Sequence, residues 1–147
     1  MFTKLSHVEM IVKSLDEMTR NYEKLFGLKP SSPVMNLTSG GVKARLFPFG
    51  ADCTLAVSEP TDPDSNAARV LEKRGEGVFL LAIEVDDLDK QIENLKESGV
   101  QYTVGNLAPG LPNACWVHPK HTHGILIELI PKGFLKEVLE RSEKIDG

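Results

Sequence analysis

His7 and Glu9 stand two residues apart in the segment Leu5-Ser6-His7-Val8-Glu9-Met10-Ile11-Val12, and Glu128 lies far downstream in Gly124-Ile125-Leu126-Ile127-Glu128-Leu129. Both segments alternate as strands do, so His7 and Glu9 share one face of the first. Two carboxyl groups and an imidazole gathered in one cavity would push one carboxyl pKa upward, which prepares a general acid or base near neutral pH. The plainer alternative is a satisfied His7–Glu128 hydrogen bond with no catalytic duty. Arg45 is the candidate partner for the carboxylates and the candidate stabiliser of developing negative charge. Lys43, Phe47, Trp116 and His118 complete the candidate ligand-binding set: the aromatic rings offer stacking surfaces and the basic groups offer anion contacts. Ordinary core packing of Phe47 and Trp116 is the competing interpretation.

Those residues need strands to carry them. Residues 5–12 read as a strand with Val8, Met10 and Val12 on one side and His7, Glu9 and Ile11 on the other. A helix begins at Ser14 or Asp16, carries Met18, Tyr22, Leu25 and Phe26, and stops at Gly27. After a turn region at Pro30 to Pro33, residues 42–47 alternate Val42, Ala44, Leu46 with Lys43, Arg45, Phe47. Cys53 to Ser58 follows as a strand, and Glu59 to Ser65 is dense in turn formers. Residues 66–74 read as a helix and Val78 to Val85 as a strand. A helix with Leu88, Ile92 and Leu95 ends at Gly99. Strands at 100–104, 114–118 and 124–130 precede a final amphipathic helix at about 133–145.

The order of elements repeats. Val12-Lys13-Ser14-Leu15-Asp16 matches Val85-Asp86-Asp87-Leu88-Asp89, and Phe47-Pro48 matches His118-Pro119. Such self-similarity implies two copies of one βαβββ unit, here about 3–64 and 76–131, in a single α+β domain spanning 1–147. Sheets paired from two such units form a half-barrel whose concave face is a pocket. Strand parity then places His7, Glu9, Lys43, Arg45, Phe47, Ala56, Ser58, Leu80, Ala82, Glu84, Trp116, His118, Leu126 and Glu128 in the cup.

Bulk properties narrow the function classes. A net charge of −4, with Lys and Arg dispersed among Asp and Glu, disfavours nucleic-acid binding. No apolar run approaches the roughly 20 residues that span a bilayer. Cys53 and Cys115 fit neither a paired-ligand spacing nor a redox motif, so a reducing, cytoplasmic setting is expected, with no export signal at Met1 to Ser6.

Four segments, His7 to Leu15, Ser65 to Gly77, Val85 to Leu88, and His118-Pro119-Lys120 through Leu129, resemble the vicinal oxygen chelate superfamily, and most closely its methylmalonyl-CoA epimerases. The resemblance spans residues 5–131. It implies a small-molecule site, possible acyl-CoA or other anionic ligands, a homodimer, and four inward metal ligands, one on each of four strands. The first of these positions falls on His7 and the last on Glu128, both of the expected type. The second, normally Gln or Glu, falls on Ala56, and the third, normally His, on Leu80. The proton-transferring Glu of the family falls near Ser39. Two ligands hold a hard cation poorly, so no tight metal and no cofactor are expected, leaving at most a weakly bound divalent ion. His118, His121 and His123 offer a rebuilt metal site only if they converge, and their positions favour a solvated turn instead.

The expected function is therefore a metal-independent isomerase or lyase acting on a small carbonyl or acyl-thioester compound. A non-catalytic ligand-binding protein is the alternative, and a metal-dependent epimerase or glyoxalase-like enzyme is a third.

Overall fold

The computed structural model describes residues 1–145; the final two residues of the expected 1–147 domain lie outside the described part. Strand β1 (Phe2–Ile11), helix α1 (Leu15–Phe26), and strands β2 (Met35–Leu37), β3 (Val42–Phe49) and β4 (Cys53–Pro60) come first. Helix α2 (Asn66–Arg74) links them to β5 (Gly77–Val85), α3 (Leu88–Ser98), β6 (Tyr102–Gly105), β7 (Ala114–Val117) and β8 (Leu126–Pro131). Helix α4 (Phe134–Arg141) and a two-residue β9 (Glu143–Lys144) finish the described chain.

The repeat is visible in the elements. Each run is strand, helix and three strands. Equivalent helices start on equivalent caps: Ser14 accepts from the Glu17 amide, and Asp87 accepts from the Lys90 amide. Such side-chain oxygens satisfy amides that the first helical turn leaves without partners. Both helices stop where Gly27 and Gly99 adopt the left-handed conformation.

All strands join one curled sheet in the order β6-β7-β8-β5-β1-β4-β3-β2-β9, so β1 and β5 meet at the centre and the units extend outward from that seam. β1 pairs parallel with β4, and β5 pairs parallel with β8. The result is the α+β half-barrel anticipated from the repeat. On its convex side α1 covers Phe47, Leu55 and Val57, while α3 packs near Val85, Cys115 and Leu129. On its concave side Ala44, Leu46, Ala56, Leu80 and Ile130 share one cluster with Ala67 of α2, Ala108, Leu111, and Phe134 and Val138 of α4.

Both ends of the chain depart from the expected elements. The first strand begins at Phe2, ahead of the expected Leu5, and the final helix ends at Arg141 instead of continuing to about 145. Ser142 turns extended, and Glu143 and Lys144 pair with Asn36 and Met35. An open strand edge offers backbone partners that outweigh continued helix, and Lys144 Nζ donates back to the Ser142 carbonyl at 2.7 Å. The β2 edge it pairs with is only three residues long, too short for alternation to reveal. Among the described residues no helix is long and apolar enough to cross a membrane.

Candidate active site

Register decides which side chains enter the cup. Glu9 stands opposite Ala56 on β4 and Leu80 on β5, and His7 opposite Ala82. Ala82 in turn faces Glu128, and Glu128 faces Trp116. Paired residues on neighbouring strands project to the same side of a sheet. His7, Glu9, Ala56, Leu80, Glu128 and Trp116 thus share the concave face, as alternation predicted.

The same rule corrects three expected members. Arg45 pairs with Val57 and Phe47 with Leu55, both in the cluster beneath α1, so Lys43, Arg45 and Phe47 project to the convex side. Arg45 Nε donates to the Ser32 carbonyl at 3.0 Å, Lys43 Nζ lies 3.3 Å from Glu59, and Phe47 is fully buried in the α1 layer. Their counterparts in the cup are Val42, Ala44 and Leu46. β3 buries apolar side chains on both faces, Phe47 under α1 and Val42, Ala44 and Leu46 within the filled half of the cup. Polarity therefore gave the wrong side, and an error of one residue in parity reverses every side chain. Glu84 also stays out of the floor: it accepts from Thr3 Oγ1 at 2.9 Å and lies 3.9 Å from Lys4.

A cavity of about 710 Å³ opens on the concave side, with Glu9, Leu80, Trp116, Leu126 and Glu128 in its wall and α2 flanking it through Ala67, Val70 and Arg74. Its other side is formed by Ser39 and Gly40 in a short 3-10 turn and by Tyr102, Thr103 and Leu107. Ser39 thus reaches the cavity, as its alignment suggested. His118 also lines the cavity but is exposed, and its Nδ1 accepts from the Lys120 amide.

At the floor Glu128 is 3 % exposed and His7 3 %. Trp116 Nε1 donates to Glu128 Oε2 at 2.7 Å, a short bond of the kind made to charged acceptors. His7 Nε2 lies 3.5 Å from Glu128 Oε1, and its Nδ1 shares a 3.1 Å hydrogen bond with Ser6 Oγ. Glu9 sits beside this group, and burial, reinforced by the negative charge of Glu128, lifts its carboxyl pKa to about 8. Nearby Ser58 acts in the opposite direction, although its fully buried Oγ forms no hydrogen bond of normal geometry. Glu9 is thus predominantly protonated at neutral pH while it lines an open cavity. Sequence reasoning did not single out Ser6, which holds His7, or Tyr102 and Thr103, which line the cavity; a hydroxyl preceding a buried histidine carries no pattern of its own.

The ligand set of a metal site is a poor match to these residues. His7 and Glu128 supply two donors, while Ala56 and Leu80 present only carbon. Among the described residues no three His, Cys, Asp or Glu side chains are grouped to hold a metal ion. His118, His121 and His123 are all at the surface turn, and His121 Nε2 is occupied by the Gln101 amide at 2.9 Å. In the likeness segment 65–77, Glu76 braces the link between β1 and α1, its carboxylate accepting from the Lys13 amide at 2.9 Å.

Comparison with known proteins agrees with this architecture. The family model described as glyoxalase/bleomycin resistance protein/dioxygenase superfamily matches residues 6–114. The mitochondrial methylmalonyl-CoA epimerase of Dictyostelium discoideum is 29 % identical over 133 residues, covering 88 % of this chain and 78 % of the relative. The crystal structure of methylmalonyl-CoA epimerase from Mycobacterium tuberculosis superposes with a TM-score of 0.76 at 30 % identity, covering 88 % of each chain. A Streptomyces coelicolor methylmalonyl-CoA epimerase variant in complex with 2-nitronate-propionyl-CoA gives a TM-score of 0.76 at 26 % identity, covering 89 % of this chain and 98 % of that one. With a family match across most of its length and the same half-barrel in its structural neighbours, the chain belongs to the glyoxalase/bleomycin resistance protein/dioxygenase superfamily.

Proposed function

We propose that this protein binds a small carbonyl compound, foremost an acyl thioester, in its cup and moves a proton at the carbon beside the carbonyl without a resident metal ion. The observation that supports this most directly is the pairing of two unlike carboxyl groups at one cavity floor. Glu128, fixed by Trp116, is the base; Glu9, protonated near neutrality, is the hydrogen-bond donor. In the first step the bond from the α-carbon to hydrogen breaks and its proton passes to the Glu128 carboxylate. The electron pair moves onto the carbonyl oxygen, where the Glu9 hydroxyl stabilises the growing charge by donating to it. Return of the proton to either face completes an isomerisation, whereas loss of a neighbouring leaving group completes a lyase reaction.

Arg45, expected to stabilise that charge, lies on the convex side, and in this reading Glu9 takes the role. A neutral acid supplies less stabilisation than a chelated cation, so the substrate must be intrinsically more acidic than a simple thioester, or turnover slow. The acyl-CoA ligand of the Streptomyces coelicolor neighbour supports the ligand class. Association as a homodimer belongs to the same proposal, with β6 at an open end of the sheet as the supporting feature and light scattering as its check. Unpaired Cys53 and Cys115 fit a reducing, cytoplasmic setting.

The test is incubation with propionyl-CoA in deuterated water, with α-deuterium read by mass spectrometry. The wild type is expected to incorporate label, and the Glu9→Gln, Glu128→Gln double variant to lose that exchange. Full exchange in the double variant would refute the assignment. The presence of Trp116 in the cavity wall favours a second reading, a binder that holds a flat ligand; it predicts tight binding and a ligand recovered without label.

A further inference from the structure

The cup floor offers no cation that would receive an acid. Glu9 and Glu128 line the cavity beside the apolar Phe79, Leu80 and Leu126, and uncharged polar residues such as Asn66, Gln101 and Thr103 complete the wall. The imidazole of His7 is already directed at Glu128 on one side and Ser6 on the other. Lys43 and Arg45 project to the opposite side of the sheet, toward Glu59 and the Ser32 carbonyl. Arg69, Arg74 and His118 also line the cavity, but they belong to its mouth, together with the exposed Asp62 and Asp64. Both arginines are tethered there, Arg69 to the Asp64 carbonyl at 2.6 Å and Arg74 to the Gly124 carbonyl at 3.2 Å.

A carboxylate carried on the acyl group would therefore face Glu128 at the cavity floor, with no cation among the described residues aimed at it and no three-donor set to seat a neutralising metal. Like charges repel at close range, and a carboxylate set against Glu128 gains only the neutral Glu9 hydroxyl as a donor, with no opposite charge to offset the repulsion. Leu80, where a donor is missing, instead offers carbon to an alkyl group in the cavity wall. We infer that the cup selects acyl groups that carry no charge of their own and rejects those bearing a carboxylate, of which methylmalonyl-CoA is an example. The inference rests on the acyl-thioester reading of the site. It separates this chain by substrate class from the methylmalonyl-CoA epimerases it resembles.

Calorimetric titration of the wild-type protein with propionyl-CoA, methylmalonyl-CoA and coenzyme A decides it. Propionyl-CoA is expected to bind at least tenfold more tightly than methylmalonyl-CoA. The Glu9→Gln, Glu128→Gln double variant should narrow that gap, and Glu128→Gln alone gives the same readout if the double variant does not fold. Methylmalonyl-CoA binding as tightly as propionyl-CoA, or more tightly, would overturn the selectivity while leaving the thioester site intact. If neither acyl-CoA binds better than coenzyme A, the acyl-thioester reading falls, and the inference with it.

Discussion

Replacing Glu9 by Gln removes an ionisation that the cup strongly perturbs, and its consequences can be worked out before any substrate is known. The Glu9 carboxyl titrates at about 8 in the folded protein against an ordinary 4.5. Between those values the folded chain keeps a proton that the unfolded chain has released. Stability from this group is fully present below about pH 4.5 and is lost as pH rises, until the folded carboxyl itself ionises near 8. The slope is about 1.4 kcal/mol per pH unit, so the loss by pH 7 is on the order of 3 kcal/mol. Gln keeps the shape and cannot ionise. Glu9→Gln should therefore match the wild type in its pH response below about 4.5 and gain on it steadily through neutrality. At about 2–4 °C per kcal/mol for a chain of this size, the melting temperature of the variant should lead by about 6–12 °C more at pH 7 than at pH 4.5. Thermal unfolding across pH 4.5 to 8.5 measures this, because titrations common to both proteins cancel in the difference. Parallel curves would show that Glu9 is not held neutral by the fold and would remove the donor from the proposed mechanism.

Three further outcomes follow from the geometry. Trp116→Phe removes the donor at 2.7 Å from Glu128 and should cost about 1–3 kcal/mol in urea unfolding, with deuterium exchange slowed about tenfold or more. Installing donors through Ala56→Glu with Leu80→His should make the cup retain cobalt(II) through gel filtration, read by its visible absorption; stoichiometric retention by the wild type would contradict the poor fit of its ligand set. Gly41→Ala should destabilise by about 1–3 kcal/mol, because Gly41 has φ of +67° and an added Cβ would lie 2.8 Å from the Ser65 Cβ at the cap of α2. Chemical denaturation checks that value.

Where one face of an element is helix-covered and the other lines the cup, alternation was enough to place residues. Val8 and Met10 pack in the α1 cluster while His7 and Glu9 face inward, and the Ser14 and Asp87 caps mark equivalent helix starts. Strand β3 defeated the same reasoning because Val42, Ala44 and Leu46 are buried much as Phe47 is, and nothing in the alternation states which burial is the cup. Only pairing with β4 settles it. The loss of two metal-ligand types at Ala56 and Leu80 was legible from the resemblance, and so was an upward push on one carboxyl of the cup from the residues gathered there, but not that Glu9 is the one. Its raised pKa depends on depth and on the distance to Glu128, quantities that belong to the folded chain. Likewise β9 forms only because β2 leaves an edge for it, a partnership between residues 35–36 and 143–144 that no local pattern announces.

A receptacle made from two like halves would admit a guest in either of two poses related by a half-turn. Here α4 inserts Phe134 and Val138 into the cluster that includes Met35, Leu37, Ala44 and Leu46, while Trp116 and Leu126 of the other half remain at the cavity wall. The two poses are thereby made inequivalent, and the duplicated scaffold becomes one-sided. A tail segment outside both repeats decides which half is filled and which half meets the guest.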